Sequence, residues 1–477
     1  MRLRPLRPIA PPLDRPATAP AAAAAPPAAS PPFDFGRLLS VALLLTLLVT
    51  ARPATAGSDA RPADSRLPDL RTVDSVHYRI RTDLDRELSL DLARRMDAMY
   101  DEYARRLSAF QPTSVAGSGS DAGNGGGNAA TLNAAAPRLD VYLFRTQRAY
   151  LTFAGGQLQN TGGVYIPSRN LLAAFLDGQG RDGLRRTLQH EAFHQFAFNM
   201  ISRDFPVWLN EGMAQLFEEA IWTGDRFWLG HVPPRRVRQL KNDLAKRRLI
   251  DFDRLLPMTQ DTWAANLGAD GDLGATQYNQ AWAMVHYLTF VTDERNVPVH
   301  RPRLIQLLRL LHEGRPGDAA FAEAFGPNVR GFQDRFAEYA AVLTATPTAT
   351  LIERQGVVGD LLAELNKRGQ RFPTVDGFRR AAVAGGYRMH YTKGELSWES
   401  DADLKSYFAD MVGRPLGPDA LYFEPRPGAP LPDIVCRCDK AFQLRTRFHR
   451  AAGDKLEHEV GVERPGTSGS VGLGRAE

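Results

Sequence analysis

The chain has 477 residues, 43% of them hydrophobic, which is enough to bury a large core and to form two domains behind a leader. Its formal net charge of +5 is unevenly placed: six arginines against two aspartates in the first 56 residues account for +4, and with about +1 left no nucleic-acid partner is implied. Only Cys436 and Cys438 are present, so a disulfide framework is excluded as the basis of the fold.

Pro and Ala dominate to position 32, Arg37 precedes an apolar run from Leu38 to Val49, and Ala54-Thr55-Ala56 offers a small-residue cleavage site. This pattern predicts a secretory signal over residues 1–56 with a long front end. The run is short for a membrane span. The expected destination is therefore secreted or periplasmic, in the cell envelope, with membrane contact only through an uncleaved anchor over residues 38–51.

Residues 57–73 read as a linker, Ser75 to Ile80 as a first strand, and Leu88 to Phe110 as an amphipathic helix with Leu92, Met96, Met99, Tyr103 and Leu107 inward. Residues 113–136 are almost all Gly, Ser, Asn and Ala, the composition of a flexible surface insertion. Arg138 to Phe144 resumes as an alternating strand. Gly163 to Pro167, a turn at Ser168-Arg169-Asn170, and Leu171 to Leu176 predict a hairpin.

The next segment carries the chemistry. It reads His190-Glu191-Ala192-Phe193-His194, and Glu211 follows within Trp208-Leu209-Asn210-Glu211-Gly212-Met213-Ala214. Asp182 is a candidate cap for a helix whose apolar face comprises Leu184, Leu188, Ala192, Phe193, Phe196, Ala197 and Met200. Histidines four apart on a helix share a face and can converge on one ion. Glu191, about 100° round the helix from His190, is placed to hold a water beside that ion and take its proton. Pro206 suits the first turn of a second helix, and the sixteen residues between His194 and Glu211 allow it to return antiparallel, with Glu211 facing the histidines. The alternatives are two merely buried or solvated histidines and an ordinary first-turn carboxylate at Glu211.

On these two segments, HEAFH at 190–194 and WLNEGMA at 208–214, the chain resembles the gluzincin metallopeptidases, in particular the peptidase-MA-like branch. The resemblance implies an α+β, zincin-like catalytic domain over residues 74–345, with a mixed sheet and motif helix followed by a helical subdomain. It also implies Zn2+ held by His190, His194 and Glu211, Glu191 as general base, and a peptide or protein substrate. Members of the family commonly supply a transition-state donor beyond the second helix. Tyr278 is the candidate, with a core role against Trp282 and Val285 as its alternative, and His286 is the reserve. An edge strand before the motif helix pairs with substrate in such enzymes, which would be the 163–176 hairpin; protection of a plain sheet edge explains Pro167 equally well. Two departures stand out. Gln215 occupies the place where thermolysin-like members carry an aspartate that orients a histidine, and no Gly-Ala-Met-Glu-Asn segment precedes His190, so an aminopeptidase is not implied.

Further on, Arg235-Arg236-Val237-Arg238 through Lys246-Arg247-Arg248 alternates with apolar residues at helical spacing and reads as a solvated helix face, with contact to an anionic envelope surface as a minor alternative. Helices are also predicted at Thr276 to Val291, Arg303 to His312 and Gly331 to Leu343. Thr344 to Thr350 reads as a linker, 346–350 being the boundary, and residues 351–477 as a small mixed domain with strands at Tyr387 to Tyr391, Leu421 to Phe423 and Ile434 to Thr446. No chemistry is evident there. Cys436 and Cys438 would share one face of a strand, where a disulfide would be strained. Rival functions are a catalytically silent scaffold that binds an envelope component, and zinc hydrolysis of a non-peptide amide.

Overall fold

A computed structural model describes residues 67–107, 138–155, 158–159, 161–269, 271–393, 396–451 and 455–464. The predicted leader and the 113–136 insertion lie outside them. No helix among the described residues is long and apolar enough to cross a membrane. The architecture is α+β, as expected.

The first layer holds β1 (Arg71–Asp74), β2 (Tyr78–Thr82), α1 (Arg86–Arg106), β3 (Leu139–Phe144), α2 (Gln147–Ala154), β4 (Gly163–Ile166) and β5 (Leu171–Phe175). The strands form one sheet in the order β1-β2-β3-β5-β4, parallel in the middle and antiparallel at both edges. Asp85 caps α1 by accepting from the Leu88 amide, and the inward face predicted for that helix is buried. The hairpin forms with Ile166 opposite Leu171. Its turn ends at Asn170 with φ 44°, a left-handed conformation that asparagine tolerates.

The helical layer follows: α3 (Gly180–Met200), α4 (Val207–Glu218), a two-stranded ribbon of β6 (Ile221–Trp222) and β7 (Phe227–Trp228), then α5 (Pro234–Ala245), α6 (Phe252–Leu255), α7 (Gln260–Ala269), α8 (Gly271–Phe290), α9 (Arg301–His312), α10 (Gly317–Phe325) and α11 (Val329–Val342). Asp182 does not cap α3 as expected. The chain enters through Gly178 and Gly180, both at positive φ, and Asp182 sits in the first turn, 3.3 Å from Arg186. One apolar core runs from the sheet through α1, α3 and α4 to α8, α9 and α11.

The remaining elements are α12 (Pro347–Lys367), α13 (Val375–Gly385), β8 (His390–Lys393), β9 (Leu396–Glu399), β10 (Leu421–Glu424), β11 (Asp433–Cys436), β12 (Gln443–Arg450) and β13 (Leu456–Glu463). The last four form an antiparallel sheet in chain order, with a second apolar core between it and α12 and α13. Two expectations change here. The Thr344–Thr350 stretch opens a 21-residue helix at Pro347, because proline suits a first turn where its missing N–H costs nothing. The segment from Ile434 to Thr446 is two antiparallel strands, so Cys438 lies past the end of β11; both thiols are free.

Candidate metal centre

Helix α3 is tied to α1 and to α4 by polar contacts that the apolar core alone would not provide. The Tyr103 hydroxyl donates to the Gln189 carbonyl at 2.6 Å, and the Gln189 amide donates to the Phe217 carbonyl at 2.9 Å. On its other side α4 lies against α8. A Cβ at Gly212 would stand 2.5 Å from the Ala281 carbonyl oxygen and 2.7 Å from Val285 Cγ2, so only glycine permits this approach. Glu211, its neighbour, is carried into place by the same packing.

The structure brings His190, His194 and Glu211 together as a buried group that could hold a metal ion, with ligand atoms within 4.8 Å of one another. Nε2 of His190 is 3.4 Å from Oε2 of Glu211, and Nε2 of His194 is 3.9 Å from Oε1. Ligands about 2.05 Å from a tetrahedral zinc lie roughly 3.3 Å apart, so the cluster needs little adjustment to close on one. Both of these imidazole nitrogens and both Glu211 oxygens are buried without a hydrogen-bond partner. Four such atoms in one place would be costly unless a cation satisfies them.

The outer partners of the rings differ from expectation. Nδ1 of His194 is 2.9 Å from Oδ1 of Asn210, which fixes Nε2 as the atom turned towards Glu211. Nδ1 of His190 faces Oε2 of Glu218 at 3.5 Å. Gln215 is not the partner of His190, because its carbonyl oxygen accepts from Arg236 at 2.6 Å. Glu218, one turn further along α4, supplies the carboxylate that seemed to be lacking. Burial favours the neutral His190 ring, yet Glu211 and Glu218 outweigh it and hold that ring well above the ordinary imidazole range. Buried His194 is pushed down to about 4. Two carboxylates facing one imidazole favour a positive charge at the centre.

Glu191 is buried beside the group, and its Oε2 accepts the Tyr165 amide of β4 at 2.9 Å. Burial pushes its carboxyl up to about 7, near the value that suits a group exchanging protons at neutral pH. His190, Glu191 and Tyr278 line one cavity of about 510 Å³, together with Gly162 and Gly163 at the start of β4. Tyr278 is buried with its ring edge-on to Trp263, centroids 5.1 Å apart, and belongs to the same apolar core as Trp282 and Val285, so it has the core role weighed for it as well as a place on the cavity wall. His286 is elsewhere: it lies between the Tyr339 hydroxyl at 2.6 Å and the Gly230 carbonyl at 3.3 Å, and it is not among the cavity's lining residues.

Along the stretch expected to be a solvated helix face, Arg238, Lys241, Lys246 and Arg247 are exposed, but Arg235 and Arg236 are not. Both are buried and ion-paired with Glu219, which also meets Arg186 at 3.1 Å. Sequence could not expose this, since the partner carboxylate lies at the C-terminal cap of α4 and the arginines follow a ribbon. The one retrievable signal was Val237 and Leu240, whose burial turns the start of α5 inward.

Residues 185–301, which span both motif segments, match the model of a family described as a protein of unknown function (DUF1570). No curated protein matches the chain.

Proposed function

We propose that this protein is an exported zinc-dependent metallopeptidase of the gluzincin type, with His190, His194 and Glu211 holding Zn2+. The observation that carries this reading is the buried set of four unpartnered ligand atoms with Glu191 beside it. When bound, zinc supplies a Lewis acid that polarises a peptide carbonyl and makes water acidic enough to react near neutral pH. Glu191 takes the proton from the attacking water on a carboxylate oxygen and returns it to the leaving amine nitrogen. Asn210 and Glu218 keep the two rings oriented. Tyr278, on the wall of the same cavity, donates from its hydroxyl to the oxygen that gains negative charge. Strand β4 is an edge strand whose first residue reaches the cavity, a position from which it can pair with an extended substrate. The leader predicted for residues 1–56 supports action on peptides or proteins outside the cytoplasm.

The test is Glu191→Gln in the full-length chain. It should retain zinc and lose about 10²- to 10⁴-fold in turnover of an unfolded protein such as β-casein. A wild-type protein that binds zinc yet cleaves neither β-casein nor a peptide library would sink the proposal.

A further inference from the structure

The C-terminal module contributes to the cavity that holds His190 and Glu191. Strand β13 is the last in its sheet: it pairs with β12 from Gln443↔Glu463 to Arg450↔Leu456, and no described strand pairs with its other edge. Five consecutive residues, His458 to Val462, line the cavity. Successive residues of a strand point to opposite faces. An unbroken run therefore means that the cavity borders the edge of β13 and not one of its faces.

Gly461 lies within this run. Its φ is outside the left-handed region, and a Cβ there would meet only Arg447 Nη1 at 3.4 Å and the Arg445 carbonyl at 3.8 Å. Neither backbone conformation nor crowding calls for glycine. Glycine inside a strand often marks a place where a ligand or another backbone comes close, and here it also keeps the faces flanking the open edge free of bulk. An open strand edge is an aggregation hazard on an outer surface, and lining a cavity shelters this one.

We propose that β13 is a second peptide-binding strand, and that the substrate is an extended, unfolded polypeptide running between the edges of β4 and β13. This rests on the peptidase reading above. Main-chain hydrogen bonds to a strand edge tolerate most side chains, so the device selects for an unfolded segment rather than a residue type. A folded protein presents no such segment.

The test is hydrogen exchange of zinc-loaded, full-length Glu191→Gln with and without β-casein. The amides of residues 456–463 should slow by about tenfold or more on binding, and Gly461→Val in the active protein should raise KM for β-casein by about tenfold with kcat and zinc content unchanged. Gly461→Ala, which meets only ordinary contacts, should fold normally and shift KM less. Protection of β4 with unchanged exchange in β13 would overturn this inference and leave the peptidase reading intact. Absence of any β-casein or peptide cleavage by the wild type would remove both.

Discussion

Nε2 of His190 and Oε2 of Glu211 lie 3.4 Å apart in a buried setting where neither has a hydrogen-bond partner. A histidine and a glutamate that served only the core would settle into a hydrogen bond with each other or with the backbone, because an unsatisfied buried polar atom costs about 1–3 kcal/mol. The spacing suits two ligands of a common ion instead.

The partner of His190 in the next shell is Glu218, which leads to a prediction that separates it from Gln215. Glu218→Gln should weaken zinc binding about 10- to 100-fold in a competition titration with a chelating dye, the usual cost of losing an outer carboxylate. Gln215→Ala should shift zinc affinity much less, since that side chain serves Arg236. Equal losses in the two variants would contradict the assignment.

Gly212→Ala tests the approach of α4 to α8. The added methyl would meet the Ala281 carbonyl at 2.5 Å, and this atom is backbone that cannot swing aside. Overpacking of this kind costs about 1–3 kcal/mol, and the displaced α4 would take Glu211 with it. Both the urea midpoint and the zinc affinity should fall. A variant as stable as wild type that binds zinc equally well would show that the approach is not needed.

The buried ring of His286 gives a pH dependence. Burial holds it down to about 4, whereas in the unfolded chain it titrates at about 6.5. Between these values the unfolded state binds more protons, so stability rises with pH. The contribution is complete above about pH 6.5 and is lost as pH falls towards 4. His286→Gln, measured on metal-free protein so that zinc release plays no part, should show a smaller loss of stability between pH 7 and pH 5 than the wild type. Identical pH profiles for the two would place the sensitivity elsewhere.

The group that could hold a metal was legible because its information is local: two histidines one turn apart on α3, and a carboxylate a short way along the chain on α4. The β4–β5 hairpin and the inward face of α1 followed from alternation and helical periodicity in the same way, whereas the order of the strands, and the edge strand β1 within a stretch read as linker, did not. What escaped depends on contacts between distant segments. Glu218 matters because of where α4 ends relative to His190, and Arg235 and Arg236 are buried because Glu219 waits for them at the cap of that same helix. Helix α12 was hidden by a start rich in Thr, Ala and Pro, the composition of a linker as well as of a first helical turn. The wall that β13 gives to the cavity arises from the docking of two cores, which no local pattern records.

Metal analysis of the full-length protein, purified without chelator and then offered zinc, tests the centre most directly. One zinc per chain is expected in the wild type and in Glu191→Gln, with almost none retained by His194→Ala or Glu211→Gln although both remain folded. A correctly folded wild-type protein that neither contains zinc nor takes it up, or a Glu211→Gln variant that holds it as tightly as the wild type, would contradict the assignment of these three side chains.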